Sequence, residues 1–191
     1  MARLNDGISS RLVASAHTAI KARMLFIWLL LLPGAAPVAD TEFPNKRDTE
    51  LDELTSELSG WVVQQTDYLE PALPGHRFET QANLQELCFP GFSHDLMPRI
   101  LGAYDARSTV IYLNTDFDSD DLLDISYLLH ELVHHFQTQN LSAKDKRFKA
   151  PMEAEALRMQ LMWLEENGVS DGMTKLGVDE KSLGIMEALS W

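Results

Sequence analysis

Cysteine is almost absent from this chain of 191 residues, because Cys88 is the only one. A single cysteine cannot form an intramolecular disulfide, and a metal site made of several thiolates is excluded for the same reason. Any bound metal would therefore be held mainly by histidine and carboxylate side chains. We expect Cys88 itself to be a small, buried apolar residue.

Basic residues are also scarce, since 16 Lys and Arg stand against 29 Asp and Glu and give a formal net charge of −13. A chain this acidic has little with which to neutralise a phosphate backbone, which argues against nucleic acid as a partner. The acidity does not identify a substrate, and a solvated acidic surface is its simplest interpretation. The apolar fraction of 45% is ordinary for a globular domain.

Long apolar runs are absent with one exception, Met24–Leu32, which follows a basic stretch and precedes small residues. This order is typical of a secretory signal peptide, and the run is shorter than the roughly 20 residues of a membrane span. Pro37 makes the best cleavage site, after Ala39, a poor one, so an uncleaved N-terminal anchor is the alternative. Both interpretations make residues 1–39 a separate segment and predict that residues 40–191 form an exported domain without a membrane span, periplasmic or secreted.

Hydrophobic periodicity in the exported part predicts mainly helices. Strand-forming residues are confined to a short segment and to a hairpin over residues 100–113. The predicted fold class is therefore α+β, a helix-dominated single domain with a small β-sheet. The expected helices are Thr49–Thr66, Ala82–Leu87, Leu122–Asn140, Pro151–Asn167 and Glu180–Leu189, the last capped by Asp179, and the expected strands are Arg77–Thr80, Ile100–Tyr104 and Thr109–Leu113.

The motif that carries chemistry is His130-Glu131-Leu132-Val133-His134, inside the longest predicted helix. Residues four apart lie on one face of a helix, so His130 and His134 can direct their imidazoles at one ion. Glu131 lies beside them and can hold a metal-bound water, whose pKa zinc lowers towards about 7. The motif predicts a single Zn²⁺ with Glu131 as general base, and the alternative is a pair of ordinary helix histidines.

A catalytic zinc usually has three protein ligands, so a third must follow elsewhere. Glu153 shares the apolar face of its helix, which should pack on the active-site helix, whereas Glu155 lies on a more polar face. Side chains two residues apart on a helix point in nearly opposite directions, so at most one of the two is a ligand, and we favour Glu153. His76 and His94 are candidates for the third ligand only if neither glutamate binds the metal.

A His-Glu-x-x-His motif with a downstream helical glutamate resembles the gluzincin group of metallopeptidases, and the segment is also similar to small uncharacterised bacterial proteins of this type. The resemblance covers roughly residues 100–165. It implies a zincin-like fold with an active-site helix, zinc bound by His130, His134 and Glu153, Glu131 as general base and a peptide or protein substrate. It also implies that the strand Thr109–Leu113 is the edge along which a peptide lies.

The chain departs from this group at one position. Many gluzincins carry an aspartate four residues after the ligand glutamate, where it supports a zinc-bound histidine. That position holds Leu157 here. The support must therefore come from elsewhere or be missing.

Other polar residues near the motif have simpler interpretations. We expect His135 to lie on the surface or to pack against a helix rather than to stabilise an oxyanion. We expect Tyr104, Tyr112 and Tyr127 to pack in the core rather than to face a cleft. The acids Asp116, Asp118 and Asp120 alternate as in a calcium loop, but Asp121 and Tyr127 stand where such a loop needs Gly and Glu. We expect these acids to cap the active-site helix.

Three functional hypotheses follow. The first is an exported zinc-dependent hydrolase, a metallopeptidase using metal-activated water. The second is a non-catalytic domain in which zinc joins two helices, and the third is an envelope interaction domain without metal. The sequence leaves the substrate and the oligomeric state open.

Overall fold

The computed structural model describes residues 46–93, 99–141 and 149–189. The segment 1–39 and His94 lie outside these ranges. The described elements are α1 (Lys46–Gln65), β1 (Gly75–Glu79), α2 (Gln81–Cys88), β2 (Gly102–Asp105), β3 (Val110–Asn114), α3 (Leu122–Gln139), α4 (Lys149–Glu166), α5 (Gly172–Leu176) and α6 (Glu180–Ala188).

This order confirms a helix-dominated α+β architecture with a small sheet. Each predicted helix and strand is present, with bounds that differ by a few residues. Asp179 caps α6 as expected, because its carboxylate accepts the backbone N–H of Ser182 at 2.7 Å. The short helix α5 was not predicted.

The three strands form one sheet in the order β1-β3-β2. β2 and β3 pair antiparallel as the expected hairpin, whereas β1 pairs parallel to the other side of β3. The implied role of Thr109–Leu113 as an edge strand is therefore wrong. β3 is the central strand, with Ile111 and Leu113 fully buried, and the sheet edges are β1 and β2.

The edge strand β2 directs part of its main chain away from the sheet. The N–H of Asn114 donates to the carbonyl of Leu101 at 3.1 Å, and the antiparallel register pairs Gly102 with Leu113. Since hydrogen-bonded and non-hydrogen-bonded pairs alternate in such a ladder, Gly102 and Tyr104 direct their N–H and C=O groups away from β3. Of these groups, the Tyr104 N–H reaches Glu131 on α3.

The helix α3 is the centre of the fold and packs on α1, α4, β2 and β3. It begins at a well-formed cap, because the Asp121 carboxylate accepts the N–H groups of Leu123 at 2.7 Å and Asp124 at 3.2 Å. The expectation that Asp116, Asp118 and Asp120 cap this helix is therefore wrong. The cap is Asp121, and Asp118 instead accepts from the N–H of Asp120 within the preceding turn. Every residue from 125 to 137 is buried, which makes α3 an interior helix.

The expected burial of Cys88, Tyr104 and Tyr127 is confirmed, whereas Tyr112 is only partly buried, against a small cluster beside the main core. Cys88 is buried and lies with Leu84, Ile100 and Ala103 in a small cluster beside the main core. Tyr104 and Tyr127 are buried in the main core. Within the described ranges, no helix combines the length and the apolar character that a membrane crossing requires.

Candidate metal centre

Two packed helices bring three donor side chains together. His130 and His134 lie one turn apart on α3, and Glu153 comes from α4; their donor atoms all lie within 4.8 Å of one another. The two Nε2 atoms are 3.1 Å apart, and each lies 3.4 Å from one oxygen of the Glu153 carboxylate. Glu153, the favoured third ligand, is therefore the residue that faces both histidines.

These separations fit a metal ion. Ligands at 2.0–2.1 Å from a tetrahedral zinc are about 3.3 Å from one another, so the three donors already stand at the distances that such an ion imposes. The Glu153 Oε2 atom is buried and has no hydrogen-bond partner within the described part of the chain. A buried carboxylate oxygen without a partner is costly, and a cation between the three donors would satisfy it.

The electrostatics of the three residues also favour a cation. Burial alone would raise the pKa of Glu153, but the two imidazoles outweigh it and hold that pKa well below its usual value. Burial lowers the pKa of His130 and favours its neutral form. Burial acts in the same direction on His134, but the Glu153 carboxylate outweighs it there and raises the pKa to about 9. Positive charge between the donors is therefore stabilised.

The far side of each imidazole contacts a glutamine. His130 Nδ1 donates to Gln160 Oε1 at 3.2 Å, and His134 Nδ1 donates to Gln137 Oε1 at 2.8 Å. A carbonyl oxygen can only accept, so each Nδ1 carries the hydrogen and each Nε2 is left to bind an ion. Sequence reasoning missed this role of the two glutamines. The support absent at Leu157 comes from Gln160, one turn further along α4.

The general-base candidate Glu131 lies against the edge strand β2. Its side chain is buried, and the backbone N–H of Tyr104 donates to its carboxylate. Burial raises the pKa of Glu131 to about 7, with the charge of His134 lowering it and that of Glu153 raising it further. A carboxyl group with such a pKa can exchange a proton near neutral pH. Gly102 makes this placement possible, because a Cβ there would lie 2.9 Å from Glu131 Cγ.

The rejected ligand candidates have other partners. Glu155 lies outside the cluster and accepts hydrogen bonds from Tyr68 Oη at 2.8 Å and Gln137 Nε2 at 3.1 Å. His76 lies between Thr55 Oγ1 at 3.0 Å and the Asp52 carboxylate at 3.3 Å. Neither belongs to the three-donor cluster among the described residues.

His135 has a structural role. Its Nε2 donates to the carbonyl of Ala72 at 2.8 Å, so its Nδ1 accepts the hydroxyl hydrogen of Tyr104 at 2.9 Å. The imidazole thereby connects α3 to two other parts of the fold, the segment between α1 and β1 and the strand β2. Of the two positions expected for His135, the structure therefore shows packing, since its side chain is buried rather than on the surface.

Comparison with known proteins identifies the family. Residues 47–181 match the family described as Domain of unknown function (DUF6647), and the chain belongs to it. The match includes His130, Glu131, His134 and Glu153. Neither a search of curated proteins nor a search of solved structures gave a match.

Proposed function

We propose that this protein is a zinc-dependent hydrolase, a metallopeptidase-like enzyme of gluzincin type and zincin-like fold. His130, His134 and Glu153 would hold one Zn²⁺, and Glu131 would be the general base. The observation that carries the proposal is the three-donor cluster, whose spacing already suits a tetrahedral ion, with a buried carboxylate of near-neutral pKa on the adjacent residue.

The donor set favours zinc over other ions. Two imidazoles and one carboxylate are borderline ligands that suit zinc, whereas calcium and magnesium prefer sites made of oxygen alone. Three protein ligands are also the number usual in catalytic zinc sites, which leave a fourth position for water or substrate. Structural zinc sites usually have four protein ligands.

The residues of this chain have distinct tasks in such a reaction. When bound, zinc supplies a water of lowered pKa and polarises the substrate carbonyl. Glu131 would accept the proton of the attacking water and return it to the leaving amine. Glu131 is buried, so a proton it has taken is shielded from bulk water.

A peptide substrate would bind along β2 rather than β3. The main-chain N–H and C=O groups of Gly102 and Tyr104 point away from β3, and both residues lie next to Glu131. An extended peptide can add to such an edge through main-chain hydrogen bonds.

Burial of the site favours a second candidate, a non-catalytic zinc-binding domain. His130 is 0% exposed and His134 is 3% exposed, as in sites where a metal only joins two helices. Substituting Glu131→Gln separates the two functions. The enzyme should keep its zinc and lose hydrolysis of a denatured protein substrate, measured by new amino termini.

The matched control is Glu165→Gln, on an exposed position of α4, which should keep both zinc and activity. A parent protein that holds zinc but releases no amino termini from any substrate favours the non-catalytic domain. A parent that never holds zinc leaves the third hypothesis, an interaction domain without metal.

We also propose export, on the basis of the amino-terminal sequence alone. Expression of the full chain followed by cell fractionation should place it outside the cytoplasm, and a shortened product would indicate cleavage near Ala39. A full-length product in the membrane fraction would indicate an uncleaved anchor. A full-length product in the cytoplasm would contradict export.

A further inference from the structure

Two amide side chains in the core have an arrangement that simple packing does not require. Gln137 on α3 and Gln160 on α4 are both 0% exposed, and each directs its Oε1 at the Nδ1 of a different histidine of the three-donor cluster. A buried glutamine must satisfy both ends of its amide, since an unsatisfied end costs about 1–3 kcal/mol. Both residues do so, with partners that fix their orientation.

Gln160 is fixed by α3. Its Nε2 donates to Ser126 Oγ at 2.9 Å, and that hydroxyl donates in turn to the carbonyl of Leu123 at 2.6 Å. Because the Ser126 hydrogen is already committed, the hydroxyl can only accept from Gln160. A rotated amide would present its NH₂ group to His130 and lose both bonds, so Oε1 stays on the imidazole.

Gln137 is fixed by α4 and by the segment after α1. Its Nε2 donates to the carbonyl of Met152 at 2.9 Å and to Glu155 Oε2 at 3.1 Å. Glu155 also accepts from the Tyr68 hydroxyl. The carboxylate that competed with Glu153 as a ligand thus orients the glutamine behind His134.

We propose that Gln137 and Gln160 are positioning residues, which hold both histidines with Nδ1 protonated and Nε2 facing the ion. This inference rests on the proposed metal site. In many zinc sites the group behind the histidine is a carboxylate, which makes the ligand more basic. Here the amides orient the ligands without adding charge.

The test measures metal affinity, which does not depend on knowing the substrate. Gln137→Met and Gln160→Met remove the acceptor while keeping an unbranched side chain, and Gln160→Glu keeps an acceptor. Gln139→Met is the matched control, because Gln139 is exposed on the same helix. Zinc affinity of each full-length protein is measured by competition with a chromophoric chelator, and ligand geometry by the visible absorption of the Co²⁺ form.

Gln137→Met and Gln160→Met should each weaken zinc binding by roughly 10- to 100-fold and alter the Co²⁺ spectrum. Gln160→Glu should bind zinc at least as tightly as the parent, and Gln139→Met should match the parent. The two methionine variants test different histidines, so the one that folds suffices if the other does not, as judged by circular dichroism of the metal-free protein.

Two results overturn the inference in distinguishable ways. In the first, the parent binds zinc, and Gln137→Met and Gln160→Met bind it with the same affinity and give the same Co²⁺ spectrum. That result would mean that the amides only fill space, and the proposed function would stand. A parent that binds neither zinc nor Co²⁺ would remove the metal site and the inference with it.

Discussion

Adding one methyl group at Gly102 tests the placement of the general base. An alanine Cβ at this position would lie 2.9 Å from Glu131 Cγ, 3.4 Å from its Oε1 and 3.6 Å from its Cδ. A separation below 3.0 Å is closer than real Cβ contacts allow, so either the Glu131 side chain or the strand β2 must move. Glu131 is buried and receives a hydrogen bond from the Tyr104 N–H, so it cannot move without losing that bond.

The expected magnitude follows from these contacts. Extra volume in a packed core typically lowers the free energy of unfolding by about 1–3 kcal/mol, and Gly102→Ala should fall in this range. A general base displaced by about 1 Å costs on the order of 100-fold in turnover, so hydrolytic activity of the folded variant should fall by about that factor. Zinc content should be unchanged, because the nearest neighbours of the added methyl group are all atoms of Glu131 and none belongs to a proposed ligand.

Two other glycines provide matched controls. A Cβ at Gly60 in α1 or at Gly184 in α6 would meet nothing within 4 Å. Alanine is favoured over glycine in a helix interior, so both substitutions should stabilise the protein by about 0.5–1 kcal/mol. Urea unfolding should therefore show a lower free energy of unfolding for Gly102→Ala and a higher one for Gly60→Ala and Gly184→Ala. If Gly102→Ala were as stable and active as the parent, the packing of Glu131 on β2 would be refuted.

Three further predictions concern the rest of the fold. Thr109 has a left-handed φ of 53°, so Thr109→Gly should raise the free energy of unfolding by up to about 1 kcal/mol; an unchanged urea midpoint would contradict this. Asp121→Ala removes the α3 cap and should cost about 1 kcal/mol, whereas the neighbouring Asp120→Ala should change little, and equal losses would argue against a specific cap. Burial and the nearby Glu131 charge raise the pKa of Cys88 to about 12, so a thiol reagent should label the native protein slowly from about pH 7 to about pH 10 and the urea-unfolded chain quickly. Rapid labelling of the native protein would contradict that burial.

The sequence predicted well those features that depend on local periodicity. The spacing of His130 and His134 on one helix face needs only the 3.6-residue repeat, and the same repeat separates Glu153 from Glu155. The hairpin of β2 and β3 was predictable because its strands are joined by a short turn. The cap of α6 was predicted correctly as Asp179, whereas the cap of α3 was predicted among the wrong aspartates, because the exact start of that helix decides which side chain can cap it.

Features that depend on contacts distant in sequence could not be predicted. The parallel pairing of β1 with β3 has no local signal, and it is this pairing that makes β3 central rather than an edge. A glutamine on a helix looks the same in sequence whether it is solvated or buried behind a ligand, so Gln137 and Gln160 required the packing of α3 on α4. The five-residue helix α5 is too short to show a periodic pattern.

The most direct test of the proposed metal site is the zinc content per chain of the purified full-length protein. The same measurement is made on His130→Ala, Glu153→Gln and Glu165→Gln. We expect about one tightly held zinc in the parent, lost or weakened in the first two variants and retained in Glu165→Gln, because Glu165 is exposed and lies outside the donor cluster. A parent without zinc, even after reconstitution, would contradict the metal site and with it the proposed hydrolase.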